Sequence, residues 1–353
     1  MKRTEIRIEP LPDDVTQEAC MWLDSGAIPG GYSGPAPHPR HDLAPLLAKE
    51  TGSRELGLKT AGNWFRLEQS VKPVFSRLDG NEVRVIKGFD LAESVYPFPA
   101  ARPMCDVDLL VPLHLAEGVL NTFLAEGWTM ASPGRGVFDA GIVSEIKLYR
   151  RGVMVELHTH IFYFPATFPG RLPRDLYSTG RPLKSGLAGL DWHNALLMVL
   201  LHALTNRRMR PIWWTDIFLL CREADQGGKW MDFTKGAAGT GLGSVISAVL
   251  ETAADQLDAP VPEIVLRYLK GTDSCGISIL HNLRGRRRMP TLTNLKCLTG
   301  WRRISWLFAL LYLVMYRQRP LRTGTDPGAT CPGTPRRPRR VYPCHRMPSG
   351  NEP

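Results

Sequence analysis

Short apolar runs interrupted at alternate positions by polar residues occupy the middle of the chain. They predict four β-strands, over residues 83–88, 106–111, 142–149 and 153–160. Helical periodicity lies between them, over 90–96 and over 115–126, where apolar side chains recur every three or four residues and Gly127 marks a turn. Strands and helices in this order predict a compact mixed β-sheet with helices packed against it.

The pattern changes on both sides of this segment. Residues 1–80 are mostly helical and irregular, with helical patterning over 43–49 and 62–74. A Pro- and Gly-rich connection follows residue 165, and long apolar helices are predicted over 193–204, 213–224 and 243–257. We therefore expect an α+β protein divided into an N-terminal region (1–80), a small mixed-sheet core (81–165), a helical domain (190–318) and a disordered basic tail (319–353).

Two carboxylates interrupt the apolar run at 105–111. Asp106 and Asp108 are two residues apart, so in a strand they project from the same face while Val107 and Leu109 face the other way. Adjacent like charges are unfavourable unless a cation neutralises them, and Mg²⁺ carrying a triphosphate is a typical partner. A solvated strand edge is the alternative, but the apolar residues on both flanks disfavour it.

A second polar face is predicted on the strand at 153–160. Glu156, His158 and His160 alternate with apolar or small residues, so a regular strand would place all three on one side. A third carboxylate facing an Asp-x-Asp pair is an arrangement that holds two metal ions for phosphoryl or nucleotidyl transfer. The alternatives are a lone acid at the sheet rim and histidines that serve only in polar packing.

These residues also carry a resemblance to a known family. The chain is similar to bacterial members of the largely uncharacterised nucleotidyltransferase group within the DNA polymerase β superfamily. The matching positions between about 60 and 260 are Lys87, Gly88, Tyr96, Pro97, Arg102, Asp106, Asp108, Leu109, Leu110, Val111, the turn Glu126-Gly127-Trp128, the strand Glu156-Leu157-His158, and the helical residues His202, Trp214, Asp216 and Ile217. Lys87-Gly88 replaces the usual Gly-Gly or Gly-Ser, and 17 residues separate Gly88 from Asp106, more than is usual.

The resemblance implies an enzyme that moves an NMP group from an NTP to a hydroxyl or phosphate acceptor. Catalytic and metal-binding roles fall to Asp106, Asp108 and Glu156, with Mg²⁺ as the metal and Mn²⁺ as its substitute. Glu156 would also help to activate the acceptor hydroxyl. Nucleotide contacts are expected from Lys87, Gly88, Arg102 and Lys147, and supporting positions around the site from His158, His160, His202 and Asp216.

Several of these assignments have structural alternatives. Lys147 faces either the phosphates or solvent. His202 lies in an apolar helix and Asp216 follows two tryptophans, so a buried histidine and a paired or capping aspartate explain both without chemistry. Two other functions also remain open: a hydrolase or Zn²⁺-binding protein that uses Glu156, His158 and His160, and a non-catalytic binding module that keeps the fold.

The distribution of charge and the cysteine content bear on the class of partner and on the cellular location of the protein. The formal net charge is +10, but residues 317–353 hold eight Arg against two acids, so +6 belongs to the tail and +4 to the rest, which disfavours long nucleic acid as a partner. The acceptor would instead be a small molecule, a sugar or a protein. Seven cysteines without a C-x-x-C pair and no apolar N-terminal segment favour a cytoplasmic location.

One apolar segment bears on membrane contact. Residues 304–316 are continuously apolar, with Arg302, Arg303 and Arg317 beside them, but 13 residues are too few to span a bilayer as a helix. This segment is either a buried helix or an interfacial anchor, so peripheral contact with the inner face of the membrane is the second possibility.

Overall fold

The computed structural model describes residues 11–25, 43, 54–78, 82–130, 144–161, 171–206 and 209–272. Its α-helices within these ranges are α1 (Asp14–Ser25), α2 (Arg54–Phe75), α3 (Lys87–Ser94), α4 (Ala116–Ala125), α5 (Trp192–Thr205), α6 (Pro211–Gln226), α7 (Trp230–Gly239), α8 (Gly243–Leu257) and α9 (Glu263–Lys270). Short 3₁₀ turns at Pro99–Ala101 and Leu113–Leu115 flank the strand that carries the paired aspartates.

Seven strands form one mixed sheet. They are β1 (Arg84–Ile86), β2 (Asp106–Leu110), β3 (Thr129–Met130), β4 (Glu145–Arg150), β5 (Val153–His158), β6 (Gly180–Pro182) and β7 (Ala188–Leu190), in the spatial order β3-β4-β5-β2-β1-β7-β6. The pairs β2/β5 and β1/β7 are parallel and the others antiparallel. Arg151 and Gly152 both have positive φ in the tight β4–β5 turn, as two-residue hairpin turns require.

The two faces of the sheet differ in chemistry because side chains alternate along each strand. On one face, Val107 and Leu109 of β2 and Val155 of β5 are fully buried in a core that also contains Leu67 of α2 and Phe123 of α4. This anchors the strands firmly on one side. The polar residues of β2, β4 and β5 therefore project from the opposite face.

A second core forms the helical part. It is built mainly from α5, α6 and α8, and it includes Ile86 of β1, Leu110 of β2 and Leu190 of β7. Helix α5 begins at Asp191, whose side chain accepts a hydrogen bond from the Trp192 backbone N–H as an N-cap. The helical part therefore packs against the same face of the sheet as the polar residues, at the ends of β1, β2 and β7.

The expected α+β class and helical C-terminal part are confirmed, and the limits of several elements differ. Strand β1 ends at Ile86 and α3 begins at Lys87, three residues earlier than predicted, while β5 ends at His158 and not at 160. The Pro- and Gly-rich connection contains β6, with β7 following it, and β3, α1, α7 and α9 were not predicted.

Other expectations lie outside the described residues. These are the helical patterning at 44–49, the apolar segment 304–316 and the tail 319–353, and the proposed domain boundaries stay a prediction. Within the described ranges, no helix is both long and apolar enough to cross a membrane.

Candidate functional site

The paired aspartates lie on the polar face of the sheet, one strand from Glu156. Asp106 and Asp108 belong to β2, and the parallel register with β5 places Asp108 opposite Glu156. Asp108 and Glu156 are only 5% and 8% exposed. Because both strands are fixed from below by the apolar core, these carboxylates are held in place without support from flexible loops.

One constellation of donor atoms has the geometry of a metal site. One ligand atom each from Asp108, Glu156 and His158 lies within 4.8 Å of the others, and all three residues are buried. The Nε2 atom of His158 is 2.8 Å from Asp108 Oδ1 and 3.4 Å from Glu156 Oε2. Two carboxylates and an imidazole suit Mn²⁺ and Zn²⁺, and the carboxylates suit Mg²⁺.

Lys87 reaches into this constellation from the start of α3. Its ammonium donates a hydrogen bond to Asp108 Oδ1 at 2.7 Å and lies 3.3 Å from His158 Nε2. The backbone of Lys87 has φ of 56°, a left-handed conformation that costs a non-glycine residue about 1–2 kcal/mol. This turn between β1 and α3 aims the lysine at the acids.

The electrostatics separate the two aspartates. Burial alone would raise the pKa of Asp108, but the ammonium of Lys87 and the hydrogen bond from His158 outweigh it and hold that pKa well below its ordinary value. For Asp106, burial together with the charges of Asp108 and Glu156 raises the pKa to about 6. Among the described residues, the Asp106 carboxylate has no hydrogen-bond or ion-pair partner. Asp108 is thus an anion held by its direct partners, whereas Asp106 is a carboxylate that has no direct partner among the described residues.

Lys147 is paired with acids on the same face. Its ammonium contacts Glu156, opposite it in the β4–β5 register, and lies 3.1 Å from Glu145 Oε1. The pKa of Glu156 is lowered, since His158 and Lys147 outweigh the effects of burial and of Asp108. Lys147 is 40% exposed, so it lies at the rim of the site and holds Glu156 from the solvent side.

Arg102 belongs to a buried ion pair between the loop before β2 and helix α6. Its Nε and Nη2 donate to Asp216 Oδ1 and Oδ2 at 3.0 and 2.7 Å, and the Tyr96 hydroxyl donates to the same Oδ1 at 2.8 Å. Nη1 of Arg102 lies 2.5 Å from the point that a Cβ on Gly88 would occupy. Glycine at 88 is therefore what lets the guanidinium approach the Lys87-Gly88 turn.

The structure brings most of the predicted site residues together on or beside the polar face. His160 lies in a bend two residues beyond the end of β5, outside the regular strand that was predicted for it. His202 packs edge-on against Trp213, with ring centroids 5.1 Å apart, in the helical part. The structural interpretation of Asp216 as a paired aspartate is confirmed.

Two contacts were missed from the sequence. Glu145 contacts Lys147, which lies two residues later on β4, and it was not among the predicted site residues although the alternation of the strand places both side chains on one face. Tyr96 was noted only as part of a motif, and its role as a hydrogen-bond donor to Asp216 depends on a contact between residues 120 positions apart. The Glu145 contact thus had a local sequence signal, and the Tyr96 contact had none.

Comparison with known proteins identifies the family of the chain. No curated protein and no solved structure is significantly similar to it. A family model described as "uncharacterised nucleotidyltransferase" matches residues 60–258, which is more than half of the chain and includes β1 to β7 and helices α3 to α8. The chain therefore belongs to this family of uncharacterised nucleotidyltransferases, enzymes that transfer phosphorus-containing groups.

Proposed function

We propose that this protein transfers an NMP group from an NTP to a hydroxyl or phosphate acceptor, with Mg²⁺ or Mn²⁺ as cofactor. One observation supports this most strongly. Asp106, Asp108 and Glu156 lie on one face of two adjacent parallel strands, with Asp108 and Glu156 in direct register. In a family of nucleotidyltransferases, three such acids are the expected setting for two-metal chemistry.

The donor atoms fit a divalent cation. It would be held by Asp108, Glu156 and His158. Beside them, Asp106 adds a carboxylate that has no direct partner among the described residues. A bound Mg²⁺ or Mn²⁺ would neutralise charge on the triphosphate and stabilise the leaving pyrophosphate. Lys87 now contacts Asp108 Oδ1, so binding of a cation there requires the ammonium to move aside. Its long flexible side chain allows that movement.

The reaction needs an in-line displacement at the α-phosphorus. The acceptor oxygen forms a bond to this phosphorus, the bond to the α–β bridging oxygen breaks, and pyrophosphate leaves with its electron pair. The acceptor proton passes to a carboxylate of the site. Glu156 is the residue expected from sequence, but its two oxygens already contact Lys147 and His158, whereas Asp106 has no described partner and is the acid whose oxygens are available.

The phosphates would lie at the start of α3. Gly88 allows a close approach of the chain at this turn, and Lys87 supplies a compact positive charge. Released from Asp108, the Lys87 ammonium has the reach to pair with a phosphate oxygen of the nucleotide. Lys147 keeps Glu156 oriented from the rim and is the second candidate for a phosphate contact.

One observation favours a second function, a Zn²⁺-dependent hydrolase or Zn²⁺-binding protein. His158 presents a nitrogen to the two carboxylates, and imidazole is a common zinc ligand. The ligands would then be Asp108, Glu156 and His158, with Asp108 in place of His160. Metal analysis of the protein purified without chelator separates the two functions, because one tightly held Zn²⁺ per chain supports the zinc protein.

Nucleotide binding is the primary test. Thermal unfolding would be followed with ATP, GTP, CTP and UTP, each with Mg²⁺, with Mn²⁺ and with EDTA, since a ligand that binds only the native state raises its stability. We expect a metal-dependent increase in melting temperature that is lost in the Asp106→Asn/Asp108→Asn double variant. Glu117→Gln is the matched control, because Glu117 is an exposed acid on α4, which packs on the opposite face of the sheet.

Activity follows as a second readout. Release of pyrophosphate from the nucleotide that binds would be measured with small hydroxyl, sugar-phosphate and protein acceptors. Transfer that survives in the double aspartate variant would refute the assigned site. Wild-type protein that folds but binds no nucleotide under any condition would leave a non-catalytic binding module as the better description.

A further inference from the structure

We propose that Asp216, on helix α6, is a positioning residue that orients Arg102 so that its free nitrogen, Nη1, binds a phosphate group of the nucleotide. This inference rests on the proposed function and adds to it a contribution from the helical part. Asp216 itself is 1% exposed and cannot contact the nucleotide. Any effect of Asp216 on binding must therefore pass through Arg102.

The geometry of the pair divides the guanidinium into two edges. Asp216 accepts from Nε and Nη2, which is the bidentate arrangement that fixes an arginine in one orientation. The Tyr96 hydroxyl donates to the same carboxylate and limits its rotation. With both partners buried, this edge of Arg102 is committed to Asp216.

The remaining edge has no described partner and faces the turn at Lys87-Gly88, where we propose that the phosphates bind. Nη1 has no hydrogen-bond partner among the described residues, although it carries two N–H donors. Some buried side-chain nitrogen and oxygen atoms of the described residues lack a hydrogen-bond partner, and Nη1 is not one of them. Because it also has no described partner, Nη1 is accessible to solvent. It lies against Gly88, the residue after Lys87. The negative charge of Asp108 is close enough to contribute to raising the pKa of Arg102.

The residue types fit this division of labour. A guanidinium can offer one edge to a carboxylate and another to a phosphate, whereas an ammonium acts as a single point charge. A buried ion pair by itself adds little net stability over an apolar substitute. Ligand binding therefore explains an arginine whose second edge faces the turn at Lys87-Gly88 better than stability alone does.

The test compares affinities for a nucleotide and for its nucleoside. The NTP that binds wild type best and the corresponding nucleoside would be titrated, with the metal present, against wild type, Asp216→Asn, Arg102→Lys and the double variant. We expect each single variant to weaken NTP binding by about tenfold, because a charge-assisted hydrogen bond is lost or misdirected. Nucleoside affinity should change by less than about twofold, within measurement error.

Two further comparisons separate positioning from simple structural support. The double variant should lose no more NTP affinity than either single variant, since both substitutions remove the same contact. Tyr96→Phe is the graded comparison: it removes a bond to the same Asp216 oxygen but leaves the bidentate arginine pair, so its loss of NTP affinity should be smaller than that of Asp216→Asn. Equal losses of NTP and nucleoside affinity would show structural support only.

The outcomes distinguish this inference from the proposed function. Wild type that binds no NTP refutes both. Wild type that binds NTP, with folded Asp216→Asn or Arg102→Lys variants of unchanged affinity, refutes the positioning role alone. Should Asp216→Asn not fold, Arg102→Lys decides, because it keeps a positive charge opposite Asp216 but has no second edge to offer to a phosphate.

Discussion

Asp90 gives the sharpest quantitative prediction, because a buried acid in α3 controls how stability depends on pH. Its carboxylate accepts a hydrogen bond from Arg181 Nη2 of β6 at 2.8 Å and a weak one from the Leu190 N–H at 3.4 Å, and it is 1% exposed. The other groups around it are Glu93 and Ser94 on its own helix. The perturbation is Asp90→Asn, which removes the titration and preserves the shape.

The magnitude follows from the pKa of Asp90, which burial raises from 3.8 to about 6 despite the opposing charge of Arg181. A folded-state pKa above the unfolded value means that the native state prefers the protonated form. The contribution of Asp90 is therefore fully present below pH 3.8 and is lost as the pH rises to about 6. A pKa difference of about two corresponds to about 3 kcal/mol.

The assay is urea unfolding of wild type and Asp90→Asn, monitored by tryptophan fluorescence at intervals from pH 4 to pH 7. Groups common to both proteins, including Asp106 and Asp108, cancel in the difference between the two free energies of unfolding. We expect the variant to gain about 2 kcal/mol relative to wild type between pH 4 and pH 6, and only about 0.3 kcal/mol more up to pH 7, because part of the full difference lies below pH 4. A constant difference across this range, or a gain by wild type, would show that Arg181 outweighs burial and refute the reasoning.

Three other substitutions test other parts of the structure. Lys87→Met leaves the buried Asp108 without its ammonium, so in EDTA it should lower the free energy of unfolding by about 3 kcal/mol. Mn²⁺ should raise the melting temperature of the variant more than that of wild type, because the ammonium no longer competes for Asp108; no increase in either protein would contradict a cation site there, and equal increases would contradict competition by Lys87. Phe123→Ala removes a fully buried ring beneath the sheet and should cost about 3–5 kcal/mol in urea unfolding, and a cost below 1 kcal/mol would contradict the packing described. Gly189→Ala would place a Cβ 2.0 Å from Asp90 Oδ1, so we expect a loss of about 1–3 kcal/mol, whereas unchanged stability would contradict this close approach.

Local alternation in the sequence was sufficient to predict which residues share the polar face. Asp106 and Asp108 are separated by one apolar residue, as are Glu156 and His158, and a strand can place such pairs on only one side. The same rule predicted the buried residues opposite them. Periodicity did not reveal where the strand ends, because β5 stops at His158, two residues before the predicted end at His160.

Short strands with weak intrinsic preferences were beyond sequence analysis. Strands β6 (Gly180–Pro182) and β7 (Ala188–Leu190) contain Gly, Pro and Ala, which rarely favour a strand. They form because β1 offers an unpaired edge to β7 in parallel register, and β7 then pairs with β6. Hydrogen bonds between distant segments, and not the propensities of these residues, determine this part of the sheet.

The sequence by itself determined the α+β class, the acids of the candidate site and their common face, since each depends on residues close together in the chain. Only the tertiary structure decided that Asp108 stands opposite Glu156, that Lys87 contacts Asp108, and that Asp216 is the partner of Arg102 from 114 positions away. The physical reason is that strand order and helix packing are fixed by burial of the whole core. Local periodicity specifies which way a side chain points, but the partner it meets depends on which distant segment the core brings beside it.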